Sequence, residues 1–369
     1  MLQRYKKTEK IFFDFDSFLY FCRHKINIMG KFTFKTDIAV LLLFFTRSDT
    51  FQKVFDEVRK ARPSKLFLFQ DGPRNERDLA GIEACRRIVS DENIDWECEV
   101  HRNYQEQNLG CMTAGYTSHR WAFSLADKCI VLEDDVVPTQ SFFPFCKEML
   151  DRYEHDERIT MVAGFNMDEN TQDCPYDYFF TSAFSIWGWA SWRRVVGQWD
   201  EHLSFLDDKY NLDQLQNLIK ARGYKSDFVQ TCYLHRESGC PQFESVFWSY
   251  MMLNNGLSVM PSQNLISNVG ATEESAHYSA LKTLPKAVRR IFLIKRHELS
   301  FPLKHPKYVV DNVAYLQRMY IYNAWDHPWI KIGRSFEELL LNLRYCNFGH
   351  IGESFVQRIR KWFGINKKI

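Results

Sequence analysis

The sequence lacks the features that would place it in several large classes. Its most apolar run, Ile38 to Phe45, is far shorter than the roughly 20 residues that cross a bilayer, so no membrane-spanning helix is expected. The opening MLQRYKKTEK is not followed by an uninterrupted apolar stretch, and no signal peptide is expected. A formal net charge of only +2 over 369 residues gives no field that would gather nucleic acid. The ten cysteines include no CxxC pair, which argues against a zinc site. Cys85, Cys129 and Cys146 fall inside apolar or helical patterns, as reduced core residues of a cytoplasmic protein do. Internal repeats and low-complexity tracts are also missing.

What is present is an ordinary globular composition, 45% hydrophobic and 25% charged, with a high aromatic share of 16% that includes 31 Phe. That excess points to aromatic-lined clefts beyond an aliphatic core. Residues 1–36 form a basic and aromatic lead-in. From Asp37 onward apolar strands alternate with amphipathic helices: AVLLLFF, a helix over Thr50 to Ala61, KLFLFQDG, a helix over Asn75 to Ser90, a strand near Trp96 to His101, a helix from Cys111 to Ala126, and KCIVLEDD. Such alternation predicts an α/β fold with a mostly parallel, Rossmann-like sheet flanked by helices. Residues 37–136 are read as a nucleotide-binding half and 137–280 as an acceptor-binding half of one domain. Residues 281–369 are read as a helical, basic C-terminal extension, with a helix near Tyr308 to Ala324.

Three polar stretches close these strands: Thr46-Arg47, Gln70-Asp71 and Glu133-Asp134-Asp135. Ligands of parallel sheets gather at the carboxyl ends of the strands. Three adjacent carboxylates repel one another there unless a cation joins them. Hard divalent ions take oxygen ligands, with one or two carboxylates completed by water and phosphate. Arg47, just ahead of a helix start, adds a guanidinium beside free backbone amides, a setting for an anion. Each feature alone also reads as a solvated turn or surface charge; together they indicate a nucleotide diphosphate site.

The segments FTRSDTFQKVFDEV, FLFQDGPR, NLGCMTAGYTSHRWAFS and VLEDDVVPTQSFFPFCKEML resemble bacterial glycosyltransferases of the GT-A fold, and are similar to the N-acetylglucosaminyltransferase I family. The resemblance spans about Ala39 to His277. It implies that Asp135 binds Mn²⁺ or Mg²⁺ directly, and that Glu133 and Asp134 contact ribose, sugar or metal-bound water. It further implies that Arg47 holds the phosphates and that Asp71 faces the base of a UDP-sugar. In YFFTSAFSIWGWASWRRVVGQWD it places Trp187, Gly188 and Trp189 near donor or acceptor, with core packing the alternative for each Trp. In QFESVFWSYMMLNNGLSVMP, Phe243 and Phe247 stand at two family Trp positions and Glu244 at an Asp position, making Glu244 the candidate base for transfer with inversion. NLISNVGATEESAHYS resembles a loop folding over the diphosphate, with Ser275 near phosphate and His277 near metal.

The implied activity is hexosyl or N-acetylhexosaminyl transfer to a glycan or lipid-linked saccharide, as in polysaccharide biosynthesis. The tail FVQRIRKWFGINKKI sets Arg358, Arg360, Lys361, Lys367 and Lys368 among Phe355, Ile359, Trp362 and Phe363. It reads either as a membrane-surface helix on the inner face or as a packed terminal helix. Two other functions compete. IFFDFDSF offers Asp14 and Asp16, and LLLFFT offers Thr46, to a haloacid-dehalogenase-like phosphatase, though no glycine follows the second Asp. The Glu244 replacement also leaves room for a non-catalytic sugar-nucleotide-binding protein.

Overall fold

The computed structural model describes residues 31–271, 282–347 and 349. The core is laid down by strand β1, Thr36–Phe44, whose run from Ile38 to Leu42 is buried at every position. A strand apolar on both faces suits the middle of a parallel sheet, and β1 pairs in parallel with β2, Pro63–Gln70, on one side and β4, Lys128–Glu133, on the other. Strand β3, Glu99–Tyr104, extends the sheet beyond β2 in the same direction. It starts three residues later than the expected strand. Trp96 is instead fully buried ahead of it, its indole N–H donating to the Pro63 carbonyl at 2.7 Å.

Beyond β4 the order becomes mixed. A short β5, Val136–Pro138, leaves the sheet; β6, Ile159–Ala163, β7, Tyr178–Thr181, β8, Trp189–Trp192, and β9, Leu257–Pro261, complete it in the order β3-β2-β1-β4-β8-β6-β9-β7. Strand β8 runs antiparallel between β4 and β6, and β7 runs antiparallel at the edge. The remaining six strands share one direction. The protein is therefore a mixed α/β fold with a mostly parallel central sheet, as the alternation predicts.

Helices flank that sheet: α1 Ser48–Ala61, α2 Leu79–Ile88, α3 Cys111–Leu125, α4 Phe142–Arg152, α5 Lys209–Leu218, α6 Arg222–Ser238, α7 Phe243–Leu253, α8 Val313–Tyr322 and α9 Pro328–Arg344. Helix α1 buries Phe51, Val54, Phe55 and Val58, the i, i+3, i+4, i+7 spacing that puts one stripe on the sheet. The C-terminal region is less helical than expected before α8. It makes short helical turns at Lys286–Arg289 and Arg290–Leu293 and then runs extended. It packs closely, burying Ile294, Leu299 and Leu303, while Asp311 forms a bridge with Phe180. No helix among the described residues is long and apolar enough to cross a membrane. The lead-in with Asp14 and Asp16, the loop residues Ser275 and His277, and the tail from Phe355 lie outside the described residues.

Candidate functional site

Parallel register brings the polar strand ends together. Leu43 pairs with Glu133 and Phe44 with Gln70, so the ends of β1, β2 and β4 form one edge. After the buried Cys129 to Leu132 the chain turns at Asp134-Asp135 and enters β5. Strand β5 pairs antiparallel with β10, Ile266–Asn268, so the triplet is pinned on both sides.

Arg47 crosses the gap from the end of β1. Its guanidinium donates to Asp134, and to Asp135 at 2.9 Å, and the Phe45 amide donates to Asp134 at 3.3 Å. These bonds hold two of the three acids. Asp134 is buried, and its carboxyl is pushed up to about 6 because burial outweighs the Arg47 charge. Glu133 is pushed up to about 8 by burial and then by Asp135, Asp134 and Glu244, with Arg47 opposing. The mutual repulsion that raises Glu133 is what a bound cation relieves.

No group of three or more His, Cys, Asp or Glu converges as a metal site among the described residues. The donor set fits an ion held by one or two carboxylates and completed by a diphosphate, a usual arrangement for Mg²⁺. Asp135 and Asp134 would be the residues to hold such an ion.

The turn after β10 closes over this corner. The Val269 amide donates to the Asp135 carbonyl at 2.8 Å, the Gly270 amide to the Asn268 side chain at 2.8 Å, and Asn268 reaches Asp135 at 3.5 Å. A Cβ on Gly270 would lie 2.1 Å from the Asp135 carboxylate. Only glycine permits that approach. Sequence reasoning singled out this loop but not Asn268 or Gly270; the signal was a Gly closing a strand pattern, which marks close backbone approach.

Glu244 arrives from the other side, in the first turn of α7. Phe243 packs against Gly115 and stands 4.6 Å from the His119 ring on α3, which sets the start of α7 beside the acids. Burial raises the Glu244 carboxyl. Phe243 and Phe247 are both core residues, with Phe247 against Trp189 and Trp199.

Other predicted residues are placed differently. The Asp71 carboxylate accepts from the amides of Gly72, Leu109 and Gly110 and from Asn108. It thereby shapes the loop leading to α3 and uses its lone pairs within the chain rather than presenting them to a base. Trp189 is fully buried in β8, its ring against His119 and Phe123, which is the packing alternative. Trp187 keeps partial exposure and packs against Phe165 and Phe292. Gly188, with φ of 64°, gives its carbonyl to the Gly164 amide at 2.7 Å and packs against Ile266 of β10. A separate cavity of about 790 Å³, lined by Tyr224, Tyr320, Trp325 and Asp311 among others, opens at the opposite edge of the sheet, where β9 begins.

No protein-family model matches this chain, and no curated protein matches it. Solved structures share parts of it. The inositol-1-phosphate CTP transferase from T. maritima aligns at 9% identity and a TM-score of 0.28, over 44% of this chain and 74% of its own. A UDP-glucose pyrophosphorylase complexed with UDP-glucose aligns at 11% and 0.25, over 44% and 81%. Mouse xyloside xylosyltransferase 1 aligns at 10% and 0.28, over 44% and 69%. A mycobacterial protein aligns at 11% and 0.25, over 43% of this chain, which spans 54% of that protein's length.

Proposed function

We propose that the protein is a metal-dependent glycosyltransferase that moves a sugar from a nucleotide sugar, a UDP-sugar by resemblance, to a glycan or lipid-linked saccharide with inversion. The observation carrying this reading is the junction at the end of β4: Arg47, Asp134 and Asp135 joined by hydrogen bonds, with the Glu133 and Glu244 carboxyl groups beside them. Asp135 and Asp134 would hold Mn²⁺ or Mg²⁺. When bound, that ion would neutralise charge on the departing diphosphate.

The chain's own groups supply the rest. Arg47 swings from the acids to the diphosphate, a bidentate guanidinium partner. Glu244, raised by burial, holds a proton more firmly than a surface carboxylate, which suits a general base. It takes the acceptor hydroxyl proton as that oxygen bonds to the anomeric carbon, while the bond to the diphosphate oxygen breaks and its electron pair leaves with the diphosphate. The partly exposed Trp187 offers an aromatic face to a sugar ring. The turn at Asn268 to Gly270 shields the corner from water, favouring transfer over hydrolysis.

Thermal unfolding with a panel of sugar nucleotides tests the reading, because a ligand that binds only the folded state raises apparent stability. At least one nucleotide sugar is expected to stabilise the wild type when Mn²⁺ is present, and Asp135→Ala is expected to remove that gain. Glu244→Gln is expected to keep the gain and lower transfer by about 100-fold or more. A wild type that no sugar nucleotide stabilises, with or without the ion, overturns the proposal.

A further inference from the structure

Helix α9 is built inside out. Trp329, Ile332, Phe336, Leu339, Leu340 and Leu343 are all exposed, Trp329 at 82% and Phe336 at 61%. At helical periodicity these positions fall on one arc of about 100°. The opposite arc faces the protein; it half-buries Ile330 and Leu341 but is otherwise polar. Arg334 donates to the Tyr322 carbonyl at 2.8 Å, Glu337 accepts from the Lys286 amide at 2.9 Å, and Asn342 is buried. The hydrogen-bonded polar side is what anchors the helix, so its orientation is fixed with the apolar stripe outward. A contiguous stripe of this size marks an interaction surface.

Charge selects the occupant. From residue 282 to the end, Lys and Arg outnumber Asp and Glu by 17 to 6, whereas in residues 1–281 they are outnumbered by 31 to 40. Two copies meeting through α9 would bring two basic regions together. Of the positions flanking the stripe, Gly333 and Ser335 are uncharged and Arg344 is basic, so two copies would find no opposite charges there of the kind that set register in paired helices. An anionic bilayer is complementary to both features, since apolar side chains enter the interface and basic ones meet the headgroups.

We propose that α9 seats the protein on an anionic lipid surface through Trp329, Ile332, Phe336, Leu339, Leu340 and Leu343. The test is cosedimentation of the full chain with vesicles of phosphatidylcholine alone or mixed with phosphatidylglycerol. The expected result is binding to the mixed vesicles that weakens with salt and little binding to neutral ones. The double variant Phe336→Glu, Leu340→Glu is expected to cut binding about tenfold or more. Its circular dichroism and melting temperature should stay at wild type, because both side chains are exposed. A chain ending at residue 349 that still binds, and still loses binding in the double variant, supports the assignment. Three results overturn it: no preference for anionic vesicles, unchanged binding in the double variant, or a wild-type dimer in light scattering that the double variant dissolves. Donor binding and transfer are independent of all three.

Discussion

His119 shows how much a single residue adds that no motif announced. It is buried on α3 among Trp189, Trp199 and Phe243, with no hydrogen-bond partner at Nδ1 among the described residues. Burial lowers its pKa to about 3. The unfolded chain therefore binds a proton that the folded one refuses once pH falls below the ordinary histidine value. Its contribution to stability is complete above about pH 6.5 and is lost progressively below, amounting to about 2 kcal/mol between pH 7 and pH 5. Urea titrations at the two pH values should show a smaller loss for His119→Phe than for the wild type. An equal loss would mean the ring is protonated in the fold.

At Arg47 the same scale bears on binding. Its side chain links β1 to the β4 turn through Asp134 and Asp135. Arg47→Met removes the positive charge that opposes the acids raising Glu133. Donor-dependent stabilisation is expected to disappear in this variant, whereas Arg47→Lys should retain part of it, having the charge without the fork.

Elements decide what touches what. The pair β5 and β10 is the least conspicuous in the chain, three residues each, yet it presses the Asn268 to Gly270 turn onto Asp135. Gly270→Ala puts a methyl where the carboxylate sits. The β5–β10 register holds the backbone on both sides, so the acid must move. A loss of metal-dependent donor binding of about tenfold or more, with an unchanged far-ultraviolet spectrum, is expected from the displacement of a ligand-bearing group. Calorimetric titration of Mn²⁺ and donor measures it. Periodicity reveals strong elements such as α1, where Phe51, Val54, Phe55 and Val58 recur on one face. It is silent on β5 and β10, whose pairing depends on residues 130 positions apart in sequence.

Over the whole molecule, residues 294–319 pack into the core. Glu298 accepts from the amides of Gln140 and Ser141, and the His297 amide donates to the Asn264 carbonyl at 2.7 Å. Ile294, Leu299, Leu303, Tyr315 and Met319 are buried. At roughly 1.5 to 3 kcal/mol for each buried apolar side chain, these five represent about as much as the 5–15 kcal/mol that holds an ordinary domain together. A chain ending at residue 281 is therefore expected not to fold. Circular dichroism and a thermal melt check it, and a cooperative melt near the wild-type temperature would refute it.

The sequence by itself determined the α/β alternation and the clustering of polar residues at strand ends. Local apolar period and length settle those features without knowledge of partners. Only the tertiary structure decided that β8 enters antiparallel beside β4, that Trp189 is fully buried while Trp187 is only partly so, and that the Asp71 carboxylate is consumed by its own loop. It also decided that Asn268 and Gly270 meet Asp135 and that α9 turns its apolar stripe outward. Each of these depends on which distant segment arrives at a given face, and hydrogen-bond saturation and close contact between remote residues leave no trace in local period or composition.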